Sequence, residues 1–335
     1  MTDSITPPGN LILTELAINP PYLAASVLDS KLDDYIAVVN WLMKYKPKPD
    51  ATNLEKVRGY LEAFHHLCEV ENWRRASDIL SIRLNTPTKD ELHIQLGIWG
   101  YHQERIELYK RLLGKLNLRV NARLLGNLGN AFLSFGDYHQ AIEYLKQYLT
   151  IVRTRGDRSG EAETLGNLGI AYKSIGDYPH AIDYHQQHLA IARETGNLTG
   201  EATALNNIAV VHYYLGNFTQ ANNNYKQVLS KLEEIRDDEI IGKVIGNLGN
   251  TLIELKDYLQ AEENLQTALK IFKKVVARCD EPITLYNLAR LHQRLGDLGL
   301  ANEYCDRALS IATELNLPLA KECQQLKKKL LSQKV

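Results

Sequence analysis

The chain is poor in the features that would point to chemistry. Its four cysteines, Cys68, Cys279, Cys305 and Cys323, form no C-x-x-C pair and match no zinc-ligand spacing. Four free, buried thiols in a reducing compartment are the simplest account. Neither sign of charge is in excess: the formal net charge is -1 and the pI is near 6.8. No global field therefore draws the chain to nucleic acid or to an anionic membrane. No apolar run reaches the roughly 18 residues that a spanning helix needs. The N-terminal residues lack a basic stretch followed by an apolar core, so no leader peptide is read there. G-x-S-x-G, the Walker A loop, H-E-x-x-H and G-x-G-x-x-G are all missing. These absences leave no catalytic constellation to name. The expectation is a cytoplasmic, non-enzymatic protein with no cofactor, no metal, no membrane insertion and no nucleic-acid partner.

What is present is a period. Ala141, Ala181, Ala221, Ala261 and Ala301 recur at a step of 40 residues, as do Leu149, Leu189, Leu229, Leu269 and Leu309. Asn127, Asn167, Asn207, Asn247 and Asn287 keep the same step. A fixed period of this size marks stacked supersecondary units that bury their apolar faces against their neighbours. Each unit reads as two amphipathic helices. In the first, helix A covers about Asn121 to Phe135, with Leu124, Leu125, Leu128 and Phe132 at helical spacing. Gly136-Asp137 breaks the chain, and helix B follows from Tyr138, burying Ala141, Ile142, Leu145, Leu149 and Val152. Asn117, Asp157, Asn197 and Asp237 stand where short polar side chains can cap the next helix A. Gly129, Gly169, Ala209, Gly249 and Ala289 sit inside helix A, where glycine costs up to about 1 kcal/mol against alanine. Recurrent acceptance of that cost implies a close approach by a neighbouring helix.

These positions resemble the tetratricopeptide repeat. Its pattern of a bulky residue, Leu-Gly, an aromatic, then Ala and an apolar residue reads here as Leu125, Leu128-Gly129, Phe132, Ala141 and Leu145, and again as Leu165, Leu168-Gly169, Tyr172 and Ala181. The 40-residue form with Leu-Gly-Asn and Gly-Asp-Tyr is similar to that of the Pins-family adaptors, the kinesin light chains and bacterial signalling proteins. The resemblance implies an all-α, right-handed α-solenoid of stacked antiparallel helix pairs. The expected organisation is a disordered segment 1–10, a divergent helical region 11–116, five regular repeats over 117–316, and a capping helix 317–335. In the divergent region, residues 23–45 give one or two helices, Trp73, Ala76, Ile79 and Leu80 a degenerate copy, and Lys46-Pro47-Lys48-Pro49-Asp50 a linker. The last helix carries Leu319, Cys323, Leu326 and Leu330 on one face, and Lys327-Lys328-Lys329 reads as a solvated stretch.

The resemblance places the A helices along a concave groove, and it implies a protein or peptide ligand. Asn127, Asn167, Asn207, Asn247 and Asn287, with Asn130 and Asn250 one turn along, would line that groove. Asparagine is a poor mid-helix residue, and its amide offers donors and an acceptor to an extended peptide. The other reading is an internal ladder in which each amide bonds the next. Lys173, Lys243, Tyr213, Tyr214, Arg290 and Arg294, with Arg123, Glu163 and Glu254, are expected to add selectivity. Tyr213 and Tyr214 read either as an aromatic platform or as inter-repeat packing. Arg290 and Arg294, one turn apart, read as a carboxylate clamp or as solvated charges. His180, His185 and His188 have no third ligand at a metal spacing and read as surface or groove histidines. A peptide-responsive bacterial regulator, with residues 11–119 as its output region, is the alternative function.

Overall fold

The computed structural model describes residues 4–232, 237–275, 280–315 and 317–333. Among these residues the chain is all-α, with one isolated bridge between Arg83 and Glu91 in place of any strand. It divides into two compact units, Met1–Gly156 and Asp157–Val335. Of the free thiols expected, Cys68, Cys305 and Cys323 are buried and unpaired; Cys279 lies outside the described residues.

The first unit holds α1 (Gly9–Glu15), α2 (Leu23–Ser26), α3 (Asp29–Lys44), α4 (Asn53–Glu69), α5 (Trp73–Leu80), α6 (Leu92–Ile98), α7 (His102–Leu112), α8 (Leu118–Phe135) and α9 (Tyr138–Arg155). Disorder was expected over 1–10. Instead α1 begins at Gly9, the Tyr60 hydroxyl donates to the Pro7 carbonyl (2.8 Å), and the Asn85 amide donates to the Ile5 carbonyl (2.8 Å). Residues 46–50 are not a linker between bodies, because α3 and α4 on either side pack against each other. The turn ends in a capping box, with Thr52 and Glu55 satisfying each other's backbone amides. Arg75 fastens the first helices by donating to the carbonyls of Leu16 (2.6 Å) and Ala17 (2.9 Å) and to the Tyr35 hydroxyl (3.1 Å). The first regular repeat, α8–α9, belongs to this unit, since α7 packs on α8 as α8 packs on α9. Gly136 takes φ 90° to end α8, and Asp137 caps α9 by accepting from the Gln140 amide.

The second unit holds α10 (Arg158–Ser174), α11 (Tyr178–Glu194), α12 (Leu198–Tyr214), α13 (Phe218–Leu232), α14 (Asp238–Glu254), α15 (Tyr258–Val275), α16 (Glu281–Leu295), α17 (Leu298–Glu314) and α18 (Leu319–Ser332). The expected caps form: Asp157, Asn197 and Asp237 accept from the amides of Gly160, Gly200 and Ile240. Successive helices pair as α10–α11, α12–α13, α14–α15 and α16–α17, and α18 closes the last pair. The A helices α10, α12, α14 and α16 also touch one another in turn, making a continuous layer; it is called the inner layer below, after the groove side that the repeat resemblance implies for A helices. The helix glycines do what their recurrence implied. A side-chain carbon on Gly249 would lie 2.8 Å from Leu265 Cγ, and one on Gly169 would lie 2.4 Å from His185 Cε1. Leu265, fully buried, is worth about 1.5–3 kcal/mol in apolar burial, well above the propensity cost of the glycine facing it. Leu326 and Leu330 of α18 are buried over Ala289, Ala301 and Cys305. Among the described residues no helix is long and apolar enough to cross a membrane.

Candidate functional site

The amides divide between the two units. Asn127 and Asn130 lie half-buried on α8 of the first, and Asn167, Asn207, Asn247, Asn250 and Asn287 on the inner layer of the second. Asn287 departs from the expected open position. It is only 8% exposed, its amide oxygen 3.5 Å from Arg290 Nη1. The others in the layer are half-buried. Asn247 Nδ2 donates to Asn206 Oδ1 (3.3 Å), so one rung of a ladder joins α14 to α12. The partner is Asn206 and not Asn207. Asn206 occupies the step held by Gly126, Gly166 and Gly246, and that break in the Leu-Gly-Asn pattern was the available signal.

The arginine clamp already has its carboxylate. Arg290 Nη2 donates to Glu254 Oε1 (2.7 Å), and Arg294 Nη2 lies 2.9 Å from Glu254 Oε2. Arg290 Nη1 also donates to Asn250 Oδ1 (2.7 Å). The Glu254 side chain is 16% exposed, so this is a largely sequestered knot between α14 and α16. Burial works against the Arg290 charge, but Tyr213, Glu254 and Tyr286 outweigh it and hold the guanidinium more firmly protonated. Arg290 and Arg294 thus share one carboxylate of this chain, the Arg290 side chain 23% exposed and that of Arg294 40%. Lys243 is engaged too, with Glu239 one turn away and with Asp280 at 3.7 Å.

The two tyrosines separate. Tyr213 is half-buried against the core, edge-on to Phe218 with ring centres 5.3 Å apart. Tyr214 is 57% exposed, stacked on Tyr178 at 6.2 Å. The Lys173 ammonium lies 5.8 Å from the centre of the Tyr214 ring. Burial lowers the Lys173 pKa.

His185 and His188 are not surface residues. They are 1% and 9% exposed, seated in the space left by Gly169 and Gly166. Among the described residues neither ring nitrogen of His185 has a hydrogen-bond partner. Burial first, then His188 and Lys173, push its pKa down to about 3, so the ring is neutral. The register foretold this: His185 falls on the step of Leu145, Tyr225, Leu265 and Cys305. His180 is exposed and bonds the capping Asp177. Among the described residues no group of three or more His, Cys, Asp or Glu could hold a metal ion.

The sequence profile of the tetratricopeptide repeat matches residues 120–194, 160–234 and 200–274, and a second profile of the same description matches 283–314. Together the matches cover more than half the chain. A comparison with curated proteins finds no match. Among solved structures, a tetratricopeptide repeat protein from Parabacteroides merdae superposes with a TM-score of 0.58 at 13% identity, over 83% of this chain and 95% of that one. A signal-transduction ATPase with a tetratricopeptide repeat sensor, from Pyrococcus horikoshii, gives 0.57 at 17% identity over 97% of this chain, which spans only 48% of that protein. A Rap protein in complex with competence and sporulation factor gives 0.53 at 15% identity, over 97% and 99% of the two chains. At these identities the likeness is one of fold.

Proposed function

The chain belongs to the tetratricopeptide repeat family, and from that premise we propose that it is an interaction scaffold which holds a partner's peptide or helix along the inner layer of its second unit. The observation that carries this reading is the row of half-buried amides Asn167, Asn207 and Asn247 on helices that touch in sequence. Spaced one repeat apart, they offer donors and acceptors to a backbone whose own groups are unpaired. The unpaired thiols support a reducing, cytoplasmic setting. The test is an array of random dodecapeptides probed with the full chain and with the Asn167→Ala/Asn207→Ala/Asn247→Ala variant. The variant should lose the captured peptides while its thermal midpoint stays within about 2–4 °C of the parent, the shift that about 1 kcal/mol produces in a unit of this size. Retained capture with a large fall in stability would assign the amides to internal stiffening.

A second reading, a peptide-responsive regulator, draws on two observations. The Rap protein that superposes along nearly the whole chain is in complex with a factor. The helices α1 to α7 also build a core outside the regular period, with Val38, Val57, Phe64 and Leu67 fully buried. A captured peptide should then change the small-angle scattering profile of the full chain. An unchanged profile at saturation would leave the passive scaffold.

A further inference from the structure

The cations of the inner layer differ in one respect. Arg290 and Arg294 share Glu254, and Lys243 has Glu239 and Asp280. Lys173 has no carboxylate within ion-pair distance among the described residues, and burial lowers its pKa. Its neighbours are the Tyr214 ring at 5.8 Å and the neutral His185. Drawing an ammonium partly out of water without a counter-charge is unfavourable. Attraction to one aromatic face offsets only part of that.

The period adds a second argument. Amides repeated at a constant step hold a backbone without preference for sequence, so a peptide could shift by one repeat and make the same bonds. Something must occur once to set the register. At the step of 40, Lys173 is matched by Leu133, Tyr213, Ile253 and Gln293, so the cation occurs in one repeat only. Beside it stands an exposed apolar surface, the Tyr214 ring backed by Tyr178.

We infer that Lys173 anchors a carboxylate of the bound peptide, an Asp or Glu side chain followed or preceded by an apolar residue that covers Tyr214. This rests on the inner layer being the peptide site. Glu254 is the structural precedent, a carboxylate held by cations in the same layer. The ligand carboxylate would supply the missing counter-charge, and the ring beside it would exclude water from the pair.

The dodecapeptide array tests this with three proteins: the parent, Lys173→Met and Lys173→Arg. Peptides captured by the parent should share an Asp or Glu next to an apolar residue. The best of them should bind about ten- to a hundredfold more weakly to Lys173→Met, the usual worth of a hydrogen bond to a charged group, and near normally to Lys173→Arg. Changing that peptide's Glu to Gln should weaken its binding to the parent by a similar factor, a readout that needs no variant to fold. Unchanged affinity in both the Lys173→Met and the Glu→Gln measurements overturns the anchor while leaving the amide site standing. Capture of no peptide by the parent, or equal capture by the triple-asparagine variant, removes the peptide site and the anchor with it.

Discussion

The pairs α10–α11 and α14–α15 share a backbone plan and differ in how fully they are satisfied. In α14–α15 a helix glycine faces Leu265, Glu254 is held by two arginines, and Lys243 has acidic partners. In α10–α11 the same glycine step faces His185, and among the described residues its ring nitrogens have no hydrogen-bond partner and Lys173 has no counter-charge. Native structures satisfy nearly all buried polar groups, and exceptions concentrate where a protein acts. Among the described residues, α10–α11 thus leaves more polar groups without partners than α14–α15 does.

The largest expected effect comes from breaking α14–α15. Leu265→Ala should cost about 2–5 kcal/mol in urea denaturation, through lost burial and the cavity left against Gly249. A cost below about 1 kcal/mol would mean that the pair is not closely packed. The next effect separates the pairs by pH. His185 has a folded pKa of about 3 against an ordinary 6.5, so between these values the unfolded chain binds the extra proton. The folded state's advantage is whole above pH 6.5 and shrinks as pH falls toward 3, by at most about 1.4 kcal/mol per pH unit. Replacing His185 by leucine, the residue at the matching step of α14–α15, should remove that sensitivity. Its gain in thermal midpoint over the parent should be greater at pH 5 than at pH 7, and an equal gain at both would show that His185 does not titrate on unfolding.

Smaller effects sharpen the electrostatic side. Glu254→Gln leaves Arg290, which is 23% exposed, with a neutral partner and should cost about 1–2 kcal/mol by chemical denaturation. A double-mutant cycle with Arg290→Met should return a coupling of similar size, and additivity would disprove the knot. Lys243→Met should change stability by less than about 1 kcal/mol, because its side chain is 42% exposed and the pair is screened by solvent. A larger loss would make the Asp280 contact more than a surface pair.

Much of the repeat array was legible because it depends on near neighbours. Asp157 caps three residues ahead, and Gly136 ends a helix by its own backbone freedom. The burial of His185 was legible as well, once it is set against Leu145 and Leu265 at the same step. Other features were not. Arg290 is drawn to Glu254, 36 residues away, only because α14 and α16 lie side by side. The core of α1 to α5 has no period to read, and the reach of Arg75 to the Leu16 carbonyl, 59 residues back, follows from packing alone.

The order of residues by itself determined the helix pairs, their caps and the 40-residue step, since these arise from interactions a few residues apart, repeated. Tertiary structure alone decided which polar side chains find partners across helices. That depends on distances between helices that no local pattern contains, and among the described residues it left Lys173 without a counter-charge while Arg290 and Arg294 had theirs.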